Sequence, residues 1–256
     1  MSVILLEKRE TVATITLNRP DNQNAFNLEL AQALDRAAQD VASDPRIGVL
    51  IVRGAGRAFC GGGDIFAFAE HMDDLSNYIR ELLNTQHRFL LQLARMPKVT
   101  IAAVHGSAAG AGLSLAAMCD MCVAEEDVRF VPAYAKLGLS PDGGGTFGLA
   151  RAVGTRRALR LFLAEPSFTA AEAESWGLVT RIAAPGQGLA EAERLAGQIA
   201  GIGTEAVAGT KRLLARLDAG ELESQLEEEL ECLLRCMDNA RFREAVRAFT
   251  QKRTAA

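Results

Sequence analysis

Aromatic residues are scarce in this 256-residue sequence, with one Trp and two Tyr, and histidine occurs three times. Neither stacking platforms nor histidine-rich metal clusters are therefore available in quantity. The formal net charge is −4, and no basic tract is interleaved with aromatics, which argues against nucleic acid as a partner. No apolar run reaches the ~18 residues a membrane span needs. Met1-Ser2-Val3 enters an alternating pattern without a basic leader, so cytoplasm is the expected location. The five cysteines are odd in number, against a secreted disulfide framework. Cys119-x-x-Cys122 has no second pair nearby, and Cys232 and Cys236 fall on a later helix; buried thiols are the expectation rather than zinc or redox chemistry.

Apolar residues make up about half of the chain, enough for a sizeable core. Ala13, Ile15 and Leu17 alternate with Thr14 and Thr16, and Val3 to Leu6 precede a polar Glu7–Glu10 stretch. A β-hairpin is expected. Asn27 can cap a helix striped by Leu28, Ala31, Leu34, Ala38 and Val41, ending at Asp44-Pro45. Strands are then expected at Gly48–Arg53, Val99–Val104 and Val128–Val131, each followed by a glycine-rich turn that opens a helix. Free N–H groups at such helix starts stabilise negative charge. Three recurrences suggest coiled strand–helix units rather than one flat sheet.

After Pro185-Gly186-Gln187-Gly188 the strand signals stop. Leu222, Leu226, Leu230, Leu233, Leu234 and Met237 form a helical apolar stripe, opposite Glu223, Glu227 and Glu231. The acidic face is expected in solvent, and the stripe on a partner subunit. The basic end, from Arg241 to Arg253, suits either solubility or phosphate contact.

A dinucleotide site fails on spacing, since Gly110-Ala111-Gly112 lacks the third glycine of G-x-G-x-x-G. Gly112-Leu113-Ser114-Leu115-Ala116 mimics a nucleophile elbow without its last glycine. No histidine follows His105 to complete a hydrolase triad.

Several ordered stretches carry a stronger signal: Asn18-Arg19-Pro20 through Asn24-Ala25-Phe26, Ala58 to Ile65, Val104 to Gly112, Gly138 to Thr146, and Ala173 to Val179. With the terminal Ala248 to Arg253, they resemble the enoyl-CoA hydratase/isomerase (crotonase) superfamily along essentially the whole chain. The resemblance implies an α/β fold: a spiral of ββα units over residues 1–190 with the acyl-CoA site, then a helical trimerisation region over 191–256. It implies a homotrimer or dimer of trimers, and no cofactor beyond the coenzyme A carried in by the thioester substrate. By motif position, Gly63 and Ala111 supply the two N–H groups of an oxyanion hole. Ala25, Gly61, Asp64, Ile65, Tyr134, Phe249 and Lys252 fall at substrate-binding positions. Phe249 and Lys252 match a pair that reaches coenzyme A in relatives.

The two glutamates of the family's hydratases are replaced here by Ser114 and Tyr134, while Asp142 stands where dienoyl-CoA and ring-epoxide isomerases carry an aspartate. The L-G-L-x-P-D-x-G-G-T spelling is most similar to the latter. The resemblance therefore implies an acyl-CoA isomerase with Asp142 as its base. A hydratase, dehalogenase or thioesterase-like hydrolase is the alternative within the family, and a non-catalytic acyl-CoA-binding trimer the alternative outside enzymes. Asp64 and Asp120 read as turn and helix-end hydrogen bonding. His71, Tyr78, Glu81 and His87 belong to the segment that usually walls the acyl pocket.

Overall fold

The computed structural model describes residues 2–215, 221–237 and 240–254; the side chains of 215, 221, 240, 241 and 252–254 lie outside that description. The expected hairpin is β1 (Ile4–Arg9) and β2 (Val12–Leu17), antiparallel with Ile4 opposite Leu17. Its turn is tighter than expected. Glu7, Lys8 and Arg9 stay in the ladder because the side chains of Glu7 and Arg9 point to solvent, where polarity costs nothing. Ala13, Ile15 and Leu17 are fully buried on the other strand.

α1 (Leu28–Ser43) starts where Asn27 Oδ1 accepts from Leu30 N at 2.9 Å, a cap of about 1 kcal/mol. β3 (Val49–Gly54), α2 (Ile65–Glu70), α3 (Leu75–Arg95) and β4 (Val99–Val104) follow. After them come β5 (Ser107–Ala109), α4 (Ala111–Met118), β6 (Met121–Glu125) and β7 (Arg129–Val131). β6 carries no turn signal before it and escaped the sequence reading.

The main sheet runs β1-β2-β3-β4-β6 and ends on β9 (Arg181–Ala183). A second, small sheet holds β5, β7 and β8 (Phe168–Thr169), and single bridges of Phe26 to Gly63 and Cys60 to Ala108 extend its line. Each turn of chain thus adds one strand to the main sheet and one short stretch to the second. That is the coiled stack expected from the recurring glycine turns.

α5 (Gly145–Val153), α6 (Thr155–Leu163) and α7 (Ala170–Ser175) close the site end. α8 (Gly188–Ala200) crosses the expected division near residue 190 and lays Ala192, Leu195, Ala196 and Ile199 against Val49, Ile51, Val99 and Val123 of the sheet. α9 (Thr204–Ala215), α10 (Glu221–Met237) and α11 (Ala240–Thr254) complete the helical end.

The leucine stripe is a correction. Leu226, Leu230, Leu233, Leu234 and Met237 are buried within the same chain, most of them against α2, α3 and α11 through Phe68, Leu82, Phe242 and Val246. α3 is long and amphipathic, so it offers an apolar face for α10 without a second subunit. Burying a leucine is worth roughly 1.5–3 kcal/mol, so the stripe anchors the C-terminal helices. Among the described residues, no helix is long and apolar enough to cross a membrane.

Candidate active site

Three chain segments meet where the second sheet ends. Phe26 N donates to Gly62 O at 2.7 Å, and Asp64 N donates to Phe26 O at 2.8 Å. In this parallel bridge Gly63 turns its own N–H away from Phe26, and that N–H has no backbone partner among the described residues. The Ala111 N–H also lacks one, as expected for the first residue of a helix. The two turns touch: a side chain on Gly62 would lie 3.0 Å from Ala109 O and 3.7 Å from Ala111 N. At Gly112 a Cβ would lie 2.4 Å from Cys60 O, which is why only glycine lets α4 start so close to the Cys60 segment. Gly63 and Ala111 are brought together, with their free N–H groups on neighbouring turns.

Beyond α4 lies a chain of hydroxyls ending on a carboxylate. Ser114 is buried, and its Oγ lies 2.8 Å from the Tyr134 hydroxyl. That hydroxyl donates to Asp142 Oδ1 at 2.8 Å, so its single proton is committed and Ser114 donates to it. Ser114 meets no histidine, which removes the hydrolase reading of its motif. Tyr134 sits in the 3-10 segment Ala133–Leu137, which Gly138 ends in the left-handed region at φ 72°. Burial, and then the negative charge of Asp142, hold its hydroxyl well above the ordinary tyrosine range.

Asp142 is only partly accessible. Burial pushes its carboxyl up to about 6, and the Tyr134 hydrogen bond offsets part of that rise. The following turn needs its glycines, since Gly143 and Gly144 take φ of 60° and 75° before α5 begins. Gln86 on α3 packs on this turn: its Nε2 is buried without a hydrogen-bond partner among the described residues and would lie 3.1 Å from a Cβ on Gly143. His87 beside it is buried, which pushes its imidazole down to about 4, so it is neutral at pH 7.

The remaining expected residues take varied places. Asp64 spends its side chain on capping α2, accepting from Ala67 N, and on Arg19, whose Nη2 lies 2.8 Å away. Ala25 is nearly buried, and its carbonyl accepts from Arg19 Nη1. Gly61 N donates to Gln23 O at 2.8 Å, and Ile65 opens α2 as a core residue. Phe249 is half exposed on α11, with its ring 5.8 Å from that of Phe66. Lys252 lies in α11, its side chain outside the described residues. Asp120 accepts from Thr100 and from Lys211 Nζ at 2.7 Å, holding α9 to the sheet. His71 stacks on Tyr78 at 4.0 Å, away from Asp142's partners. Cys60, Cys119 and Cys122 are buried free thiols, and burial pushes Cys60 and Cys122 up to about 12.

One residue at the site was missed. Glu229 of α10 is buried and reaches the same turn, accepting from Gly144 N at 2.7 Å. Its sequence neighbours Glu223, Glu227 and Glu231 read as a solvated face, and Glu229 has no local motif to set it apart. Its position beside Leu226, Leu230 and Leu233 on the apolar side was the available signal.

Comparison with known proteins agrees with this geometry. The family model for enoyl-CoA hydratase/isomerase matches residues 7–256. The 1,2-epoxyphenylacetyl-CoA isomerase of Escherichia coli is 34% identical, over 99% of this chain and 97% of its own. The 2,3-dehydroadipyl-CoA hydratase of the same organism is 33% identical, over 99% and 98%. Among solved structures, the enoyl-CoA hydratase from Bacillus halodurans superposes with a TM-score of 0.90 at 28% identity, covering 96% of this chain and all of that one. With the match running from the first strand to the last helix, and the coiled fold shared, the chain belongs to the enoyl-CoA hydratase/isomerase family, the crotonase superfamily.

Proposed function

We propose that this enzyme is an acyl-CoA isomerase, shifting a double bond or opening a strained ring beside the thioester, with Asp142 as its base. The observation that carries the reading is the single carboxylate at the Ser114–Tyr134–Asp142 chain, set by burial to about 6. Such a group is ionised at pH 7 yet a stronger base than aspartate in water. The thioester oxygen is held by the N–H groups of Gly63 and Ala111, where the enolate's charge develops, so they stabilise the transition state more than the ground state. In a double-bond shift, Asp142 takes a proton from one carbon and returns it to another, leaving no net change in the enzyme. Coenzyme A arrives as part of the substrate, with Phe249 and Lys252 contacting it and Ala25, Gly61, Asp64 and Ile65 lining its path. The assembly is a homotrimer or dimer of trimers, located in the cytoplasm.

Hydration is the competing reading, favoured by the Escherichia coli hydratase at 33% identity. It requires two groups to position water and move its protons, and Ser114 and Tyr134 are poor substitutes for carboxylates. Hydration of crotonyl-CoA should therefore be absent or far slower than isomerisation; robust hydration overturns the assignment. The deciding experiment is Asp142→Asn assayed with trans-3-hexenoyl-CoA and 1,2-epoxyphenylacetyl-CoA. The wild type should turn over at least one, and the variant should lose roughly 10²–10⁴ in kcat while keeping its affinity for coenzyme A. A variant with wild-type kcat rules out Asp142 as the base, and turnover of neither compound favours a binder.

A further inference from the structure

Glu229 belongs to a helix far along the chain from the Asp142 turn, yet the residue is 3% exposed and its carboxylate is engaged on that turn. It accepts from Gly144 N at 2.7 Å, from Thr146 N at 3.0 Å, and from the Thr146 hydroxyl. Gln225, one helical turn earlier, donates to the same Thr146 hydroxyl at 2.7 Å. The turn is held from its other side as well, because Gly145 N donates to the Asp142 carbonyl and the Tyr134 hydroxyl to Asp142 Oδ1. Two glycines in the left-handed region would otherwise leave Asp142 on a loose hinge. An anion at the start of α5 also meets the positive end of that helix.

A buried carboxylate beside another is costly, and leucine would fill the α10 stripe more cheaply. Burial pushes Glu229 up to about 7, and the charge of Asp142 adds to the rise.

The other charges around it are spoken for. Arg80, Arg88 and Arg95 on α3 are paired with Glu231, Asp35 and Glu223, and His87 is neutral at pH 7. Lys136 before the turn, Arg151 on α5, Glu228 on α10, and Arg243, Glu244 and Arg247 on α11 are exposed.

We propose that Glu229 is a positioning residue, clamping the Asp142 turn in its reactive geometry. The proposal rests on the reading of Asp142 as the base. It ties the C-terminal helices to catalysis, so that a change in how α10 packs alters the rate without touching the substrate.

The test is Glu229→Gln, read by amide hydrogen exchange and by the pH dependence of kcat on whichever of the two isomerase substrates the wild type turns over. A glutamine offers one acceptor oxygen to three donors and carries no charge. Amide exchange at Gly144 and Thr146 should rise roughly tenfold or more, the usual worth of a hydrogen bond to a charged group. The kcat should fall by a similar factor with KM little changed, and the acid limb of the profile should stay in place, because Glu229 is already largely protonated where Asp142 titrates. Thr146→Val, which removes one donor and keeps the carboxylate, should loosen the turn less and lower kcat less. It also serves if the glutamine variant does not fold. Wild-type exchange in both variants overturns the clamp, whatever Asp142 does. A lower melting temperature with kcat unmoved reduces Glu229 to a core residue. If Asp142→Asn retains its rate, the base assignment fails by itself, and the exchange experiment still decides the clamp.

Discussion

The Tyr134 hydroxyl lies 2.8 Å from Asp142 Oδ1 and donates to it, on a side chain that is itself buried and bonded to Ser114. A donor to the ionised carboxylate favours the charged form, so this bond lowers a pKa that burial has raised. Tyr134→Phe removes the donor and should move the acid limb of kcat upward from about 6. Activity at pH 6 should then fall more than activity at pH 8. The pH–rate profiles of the two proteins check this; parallel profiles would show that Asp142 does not set the limb.

The raised pKa of Asp142 has a stability counterpart. In the folded protein the group holds its proton up to about 6, whereas the unfolded chain releases it near 3.8, the ordinary aspartate value. The native state therefore binds more protons in that window, and stability falls as pH rises through it. Asp142→Asn removes this contribution. The variant should gain on the wild type between pH 4 and pH 7, by on the order of 1–2 kcal/mol at neutral pH given partial solvent screening. Urea titrations at several pH values measure it, and a constant difference between the two proteins counts against the buried carboxylate.

The N–H of Ala111 can be tested without altering a side chain that matters. Proline is tolerated at the first position of a helix and has no N–H. Ala111→Pro should lose roughly two to three orders of magnitude in kcat, the scale for one oxyanion donor. Ala111→Gly should keep most of the rate, because only the backbone is used. Near-wild-type turnover by a proline variant with an unchanged melting temperature places the oxyanion donor elsewhere.

Local patterns in the sequence determined the repeated strand–turn–helix units, the hairpin faces of Ala13, Ile15 and Leu17, and the glycines that open α4 and α5. Each of these depends on neighbours within a few residues: a side-chain period, a cap, or a backbone angle that only glycine takes easily. The motifs that resemble the family also pointed to Gly63, Ala111 and Asp142, since a turn's spelling fixes its own backbone. Other features needed the chain to fold back on itself. The leucine stripe of α10 has the same spelling whether its cover is α3 or another subunit, and only the packing showed α3 of the same chain. The pairing of Asp64 with Arg19, 45 residues away in the chain, likewise appears only in the folded protein. Glu229 bonds to a turn more than 80 residues earlier, and no local pattern encodes a partner at that distance. Burial is likewise a property of the assembled layers: the sequence supplied the Asp142 carboxylate, and the packing around it, with the Tyr134 hydroxyl against it, pushes that carboxyl up to about 6.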